Sequence, residues 1–152
     1  MAKIAEKSPR YRSKKVICKD VAEIMASQSL HYGTKHVVLA QTVWAWSEFH
    51  GKYEGCPFWS EKALASDRIA TEFIHEHAVP KSVIIKMLFD LKNPTPEKVE
   101  DILSSFCVGV VVTREEDRTL NQNGLRLKMP EDWDGDDRWA RYQKVGIVPK
   151  KM

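Results

Sequence analysis

Phe73-Ile74-His75-Glu76-His77-Ala78-Val79-Pro80 places two histidines and a carboxylate within three positions, between apolar neighbours and ahead of a proline. Thr71, Phe73, His75 and His77 alternate with Glu72, Ile74, Glu76 and Ala78, so the segment 69–79 predicts a short strand. On a regular strand His75 and His77 point to one face and Glu76 to the other. Pro80 ends that strand and suits the first turn of a following helix. Imidazole and carboxylate side by side are the usual material of a hydrolytic metal site.

Downstream, Cys107-Val108-Gly109-Val110-Val111-Val112-Thr113 is short, apolar and β-branched, which predicts a buried strand. It runs directly into Arg114-Glu115-Glu116-Asp117, where Thr113 and Glu116 have the spacing of a capping box and start a helix reaching about Leu120. Two helices are expected between these strands. The first carries the apolar stripe Val83, Ile84, Met87, Leu88 and Leu91. The second is capped by Thr95, with Pro96 at its first position and Val99, Ile102 and Leu103 facing inward.

Upstream, Asp20 is expected to cap a helix carrying Val21, Ile24 and Met25. A second helix runs from near Thr34 to His50-Gly51 and is apolar around much of its circumference, as befits a buried element. The segment 59–65 reads as a short helix with Ser60 as its N-cap. Trp44, Trp46, Phe58 and Trp59 are expected to meet in one aromatic cluster of the core. The acidic segment 131–137 is a loop leading into a last short helix over 138–142. The fold class is therefore α+β, mainly helical, with N-terminal helices and a small ββα-like element in the second half. Residues 1–15 read as a flexible basic tail and 16–152 as a single domain. Within it, 16–68 form a helical layer, 69–124 the ββα-like element with its helical insertion, and 125–152 a C-terminal loop and helix.

This length can bury a core without staples. No run of eighteen apolar residues is present to suggest a membrane span, and the first residues lack the apolar stretch of a secretory signal. Three widely spaced cysteines, Cys18, Cys56 and Cys107, form no CxxC pair, which argues against a zinc ribbon and for reduced thiols in a cytoplasmic protein. No glycine-rich phosphate loop, dinucleotide fingerprint or nucleophile elbow occurs. His31, His36 and His50 read as structural, because the His31/His36 spacing is not that of a helical metal pair. The net charge of +3 is modest, so its distribution is the informative part. Lys3, Lys7, Arg10, Arg12, Lys14 and Lys15 crowd the N-terminus, and such tails often meet phosphate. The other reading is a solvated terminus without a partner.

Glu-His-x-x-Pro, then a strand, then Thr-x-Glu-Glu-Asp-x-x-Leu resembles the HNH, or ββα-metal, endonucleases over roughly Phe73 to Leu120. The resemblance implies metal-dependent hydrolysis of phosphodiesters in nucleic acid, DNA ahead of RNA, with a divalent ion such as Mg²⁺. It implies Glu76 as the strand metal ligand, Asp117 as the helix ligand, and His77, with His75 beside it, as the catalytic histidines. The chain departs from that family at several points. Asp117 stands where His or Asn is usual, the gap between the motifs is long, and the Gly-Gly after the first motif and the zinc-knuckle cysteines are missing. An Asp ligates magnesium well, and the same change can mark a degenerate site. Two alternatives lie outside enzymology: a helical interaction protein using its aromatic cluster and acidic loop, or a nucleic-acid-binding module that does not cleave. In both, His75, Glu76 and His77 are a polar cluster orienting Pro80, and Glu115, Glu116 and Asp117 only complement the helix dipole.

Overall fold

The computed structural model of the chain describes residues 8–67 and 72–152. Lys3 and Lys7, and the start of the expected strand at Ile69 and Thr71, lie outside the described residues. The fold is α+β and mainly helical. In chain order the elements are α1 (Lys14–Ala26), α2 (Tyr32–Ser47), β1 (Phe58–Ser60), α3 (Glu61–Ala65), β2 (Phe73–His77), α4 (Lys81–Phe89), α5 (Pro96–Phe106), β3 (Gly109–Thr113), α6 (Arg114–Gln122), α7 (Ala140–Val145) and β4 (Pro149–Lys151).

The strands form one sheet in the order β2-β3-β1-β4. β2 and β3 run antiparallel with Phe73 opposite Thr113 and His77 opposite Gly109, β1 is parallel to β3, and β4 closes the other edge antiparallel to β1. The pair β2–β3 followed by α6, with α4 and α5 inserted between the strands, is the ββα-like element with its helical insertion. The strands β1 and β4 have no clear sequence signal, since each is three residues long.

Capping residues explain most helix starts. Ser13 caps α1, so that helix begins at Lys14, well before the expected Asp20; Lys14 and Lys15 therefore belong to a helix and not to a tail. Thr95 caps α5, Ser60 caps α3, and Thr113 with Glu116 forms the anticipated capping box of α6. Glu116 is 4% exposed and its Oε2 also accepts from Ser60 Oγ at 2.6 Å, so one carboxylate ties β1 to the start of α6. Leaving such a buried acceptor unpaired would cost about 1–3 kcal/mol.

The core has three parts. α1, α2, α4 and α5 pack through Ile17, Val21, Leu39, Val43, Leu88, Val99 and Leu103. One face of the sheet, bearing Val110 and Val112, meets α6 and α7 through Leu120 and Tyr142. The opposite face carries Trp59, Phe73 and Val111 under α3. The expected aromatic cluster does not form as one unit. Trp44 meets His75 and His77, Phe58 meets Trp139, Trp59 meets Phe73, and Trp46 joins the helical core. Strand alternation is the reason: Phe58 and Trp59 are neighbours on β1 and so project to opposite faces.

Candidate functional site

β2 is buried in strict alternation, with Phe73, His75 and His77 covered and Ile74 and Glu76 half-buried. Its two faces meet different partners. On the face of α7, Arg141 is fully buried and its guanidinium is shared out. It donates to the carbonyls of Ala78 at 2.8 Å and Leu125 at 2.7 Å, to that of His77, and to the Glu76 carboxylate. Glu76 therefore already has a fixed cation, and burial holds the Arg141 guanidinium below its ordinary range without discharging it. Asp117 sits half-buried on the first turn of α6, where its Oδ2 accepts from Asn121 Nδ2 at 3.3 Å.

On the opposite face lie the histidines. His77 is 4% exposed, its Nε2 is 2.8 Å from Ser47 Oγ, and its ring meets Trp44 edge-on at 4.4 Å. It is thus not a solvent-exposed base. Burial, reinforced by His75 and Lys81, pushes its pKa down to about 3. His75 is equally buried, and neither ring nitrogen has a hydrogen-bond partner. Its Nδ1 lies 3.9 Å from Glu48 Oε1. Burial pushes His75 down to about 4; the carboxylate of Glu48 opposes that shift and Lys52 adds to it. Both imidazoles are neutral at physiological pH.

The structure thus brings Glu76 and the helix bearing Asp117 to one side of the sheet, and His75 and His77 together on the other. Among the described residues, no group of three or more His, Cys, Asp or Glu side chains is placed to hold a metal ion. The N-terminal cations are scattered. Arg12 pairs with Asp20 at 3.6 Å, Lys14 Nζ lies 4.5 Å from the centre of the Trp46 ring, and Arg10 and Lys15 are exposed.

The histidine face opens into a cleft of about 380 Å³ between the C-terminal half of α2 and the strand pair. Gln41 and Trp44 line it from α2, Glu48 from that helix's C-cap, Lys52 and Tyr53 from the following turn, Phe73 and His75 from β2, and Arg114 from the start of α6. Its size falls within the roughly 300–1,000 Å³ of small-ligand sites. Glu48, Lys52, Tyr53 and Arg114 escape a reading centred on residues 73–80. The available signal was spacing: Gln41, Trp44 and Glu48 stand at i, i+3 and i+7, one stripe of a helix. No family model, curated protein or solved structure matches the chain. Among the described residues no helix is long and apolar enough to cross a membrane.

Proposed function

We propose that the chain binds nucleic acid in the cleft between α2 and β2–β3, as a relative of the ββα-metal nucleases whose strand motif has become structural. The observation that carries this reading is the lining of the cleft. Lys52 and Arg114 offer cations to phosphate, while Trp44 and Tyr53 offer aromatic surface beside them. Cations with stacking platforms are the common means of holding single strands and strand ends. The arrangement of Glu76 supports the non-cleaving form, because Arg141 already satisfies its carboxylate.

Phosphodiester hydrolysis is a second reading, favoured by one observation: a neutral imidazole, His75, stands beside a carboxylate, Glu48, at the wall of the same cleft. A neutral imidazole paired with a carboxylate is the usual general base for an attacking water. Anisotropy titration of a labelled single-stranded oligonucleotide tests the first reading. Saturable binding that weakens in Lys52→Ala and Arg114→Ala supports it, and binding that both variants leave unchanged removes the cleft from the account. Incubating supercoiled plasmid with the protein and Mg²⁺ or Mn²⁺ tests the second; nicking lost in His75→Gln supports hydrolysis at this face, and nicking lost only in Glu76→Gln returns the chemistry to the strand motif.

A further inference from the structure

We infer that the chain binds a small phosphate monoester in a second pocket, at the end of α2 and apart from the cleft. This pocket holds about 240 Å³ and shares no lining residue with the cleft. Trp44 lines the cleft and Trp46 lines this pocket, and residues two apart lie nearly opposite each other on a helix. Lys14 from the start of α1, His50 from the turn after α2 and Arg138 from the segment before α7 reach the pocket from three separate parts of the chain. No Asp or Glu lines it. Cations gathered in one concavity with no carboxylate between them repel one another, and an anion seated among them removes that repulsion. Trp46 and Phe58 supply apolar wall beside the charges. A few convergent polar groups on an apolar wall are the usual make-up of a small-molecule site.

Both permanent cations are positioned and retain donors. Lys14 Nζ lies 4.5 Å from the centre of the Trp46 ring and 5.6 Å from that of Phe49, a cation–π seat that places the ammonium without consuming its N–H groups. Arg138 Nη1 donates to the carbonyl of Ser105 at 3.1 Å, which anchors the guanidinium through one of its five N–H groups. Among the described residues no carboxylate pairs with Lys14 or Arg138. The first turn of α1 carries no acidic side chain, so the positive end of that helix adds to the same field. Cys107 lines the pocket as a thiol and not a thiolate: burial pushes its pKa up, and its Sγ donates to the carbonyl of Val43 at 3.3 Å. No second negative charge therefore competes with that of a ligand. A planar guanidinium fork beside an ammonium matches the oxygens of a phosphate. The volume is below the roughly 300 Å³ at which drug-sized sites begin, which restricts the rest of the ligand to a small group. The site stands whether or not the cleft binds nucleic acid.

The test titrates the full chain with phenyl phosphate and follows the indole N–H of Trp46 and the backbone N–H groups of Val108 and Gly109 by NMR. Shifts that saturate together at these positions, with the cleft residues Trp44 and Tyr53 unmoved, are the expected result. Lys14→Gln and Arg138→Gln should each weaken binding by roughly 10- to 100-fold, the worth of a charge-assisted hydrogen bond. Lys15→Gln, at an exposed cation one position along α1, should leave it unchanged. Shifts that never saturate, or an equal loss in Lys15→Gln, reduce the effect to general charge attraction and overturn the proposal. A 5′-phosphorylated oligonucleotide separates a strand's terminal phosphate from a free monoester: Trp46 shifts with the oligonucleotide and none with phenyl phosphate overturn the small-molecule assignment. Should a variant fail to fold, the unaltered chain decides the matter with phenol as the uncharged probe. Phenol should leave Trp46 unmoved at concentrations where phenyl phosphate saturates, and equal shifts from the two compounds reject a phosphate site.

Discussion

The imidazole of His75 occupies the space that the missing side chain of Gly109 leaves. A Cβ at position 109 would stand 2.4 Å from His75 Nε2 and 2.7 Å from Cε1. The two residues share a sheet face diagonally, since Gly109 pairs with His77 and Val111 with His75. Gly109→Ala should therefore overpack the buried ring and cost about 1–3 kcal/mol. Chemical denaturation of the single variant, of His75→Ser and of the double variant measures the coupling. A double variant less destabilised than the sum of the two singles identifies the ring as the obstacle, and simple additivity would place the strain elsewhere.

The buried histidines make stability depend on pH. Both fold with pKa values depressed from an unfolded value near 6.5, to about 4 for His75 and about 3 for His77. The unfolded chain binds protons first, so the neutral-ring stability is fully present above pH 6.5 and drains away as pH falls toward the folded values. By pH 5 each histidine should have withdrawn about 2 kcal/mol. Denaturation midpoints with chelator present, between pH 7.5 and 5, should fall steeply, and His75→Gln should remove about half of the slope. A flat profile would mean that the rings are solvated.

Arg141 is the anchor of the other face. Its removal leaves three carbonyls and the Glu76 carboxylate without their donor. Arg141→Met should cost about 3–5 kcal/mol, the usual cost of breaking a buried pair from one side. Glu76→Gln should cost less, because its side chain is 18% exposed and reaches water. Thermal unfolding of both variants checks the order, and equal losses would show Glu76 to be as indispensable as its partner.

Salt dependence separates the cleft from the N-terminal cations. If Lys52 meets a phosphate, Lys52→Ala should flatten the log–log salt slope on single-stranded DNA by about 0.7. Arg12 and Lys14 are engaged with Asp20 and Trp46, so charge removal there should change the slope less. A larger effect from Arg12→Ala or Lys14→Ala would move the interface to the start of α1.

Much of this architecture was legible in the sequence where a local physical signal was strong. The capping box of Thr113 and Glu116, the Thr95-Pro96 start of α5 and the alternation ending at His77 each became the anticipated element. The start of α1 was misplaced because Ser13 outcompetes Asp20 as a cap, and basic residues at 14 and 15 resemble a tail until a cap precedes them. The site was less legible than the fold. Alternation foretold that His77 and Glu76 would part company, but not that Arg141, sixty-four and sixty-five positions away, would claim the carboxylate. A contact of that range leaves no periodic mark on the chain. The same holds for Glu48, whose approach to His75 exists only once α2 lies across β2.

The central claim is that the working face of β2 is the one bearing His75, beneath α2, and not the one bearing Glu76. Backbone NMR of the full chain during titration with a short single-stranded oligonucleotide tests it most directly. The account predicts shifts that saturate together at Gln41, Trp44, Glu48, Lys52, Tyr53, His75 and Arg114, the residues that share the cleft. Shifts gathered instead at Glu76, Asp117 and Arg141, or confined to the residues before α1, would contradict it.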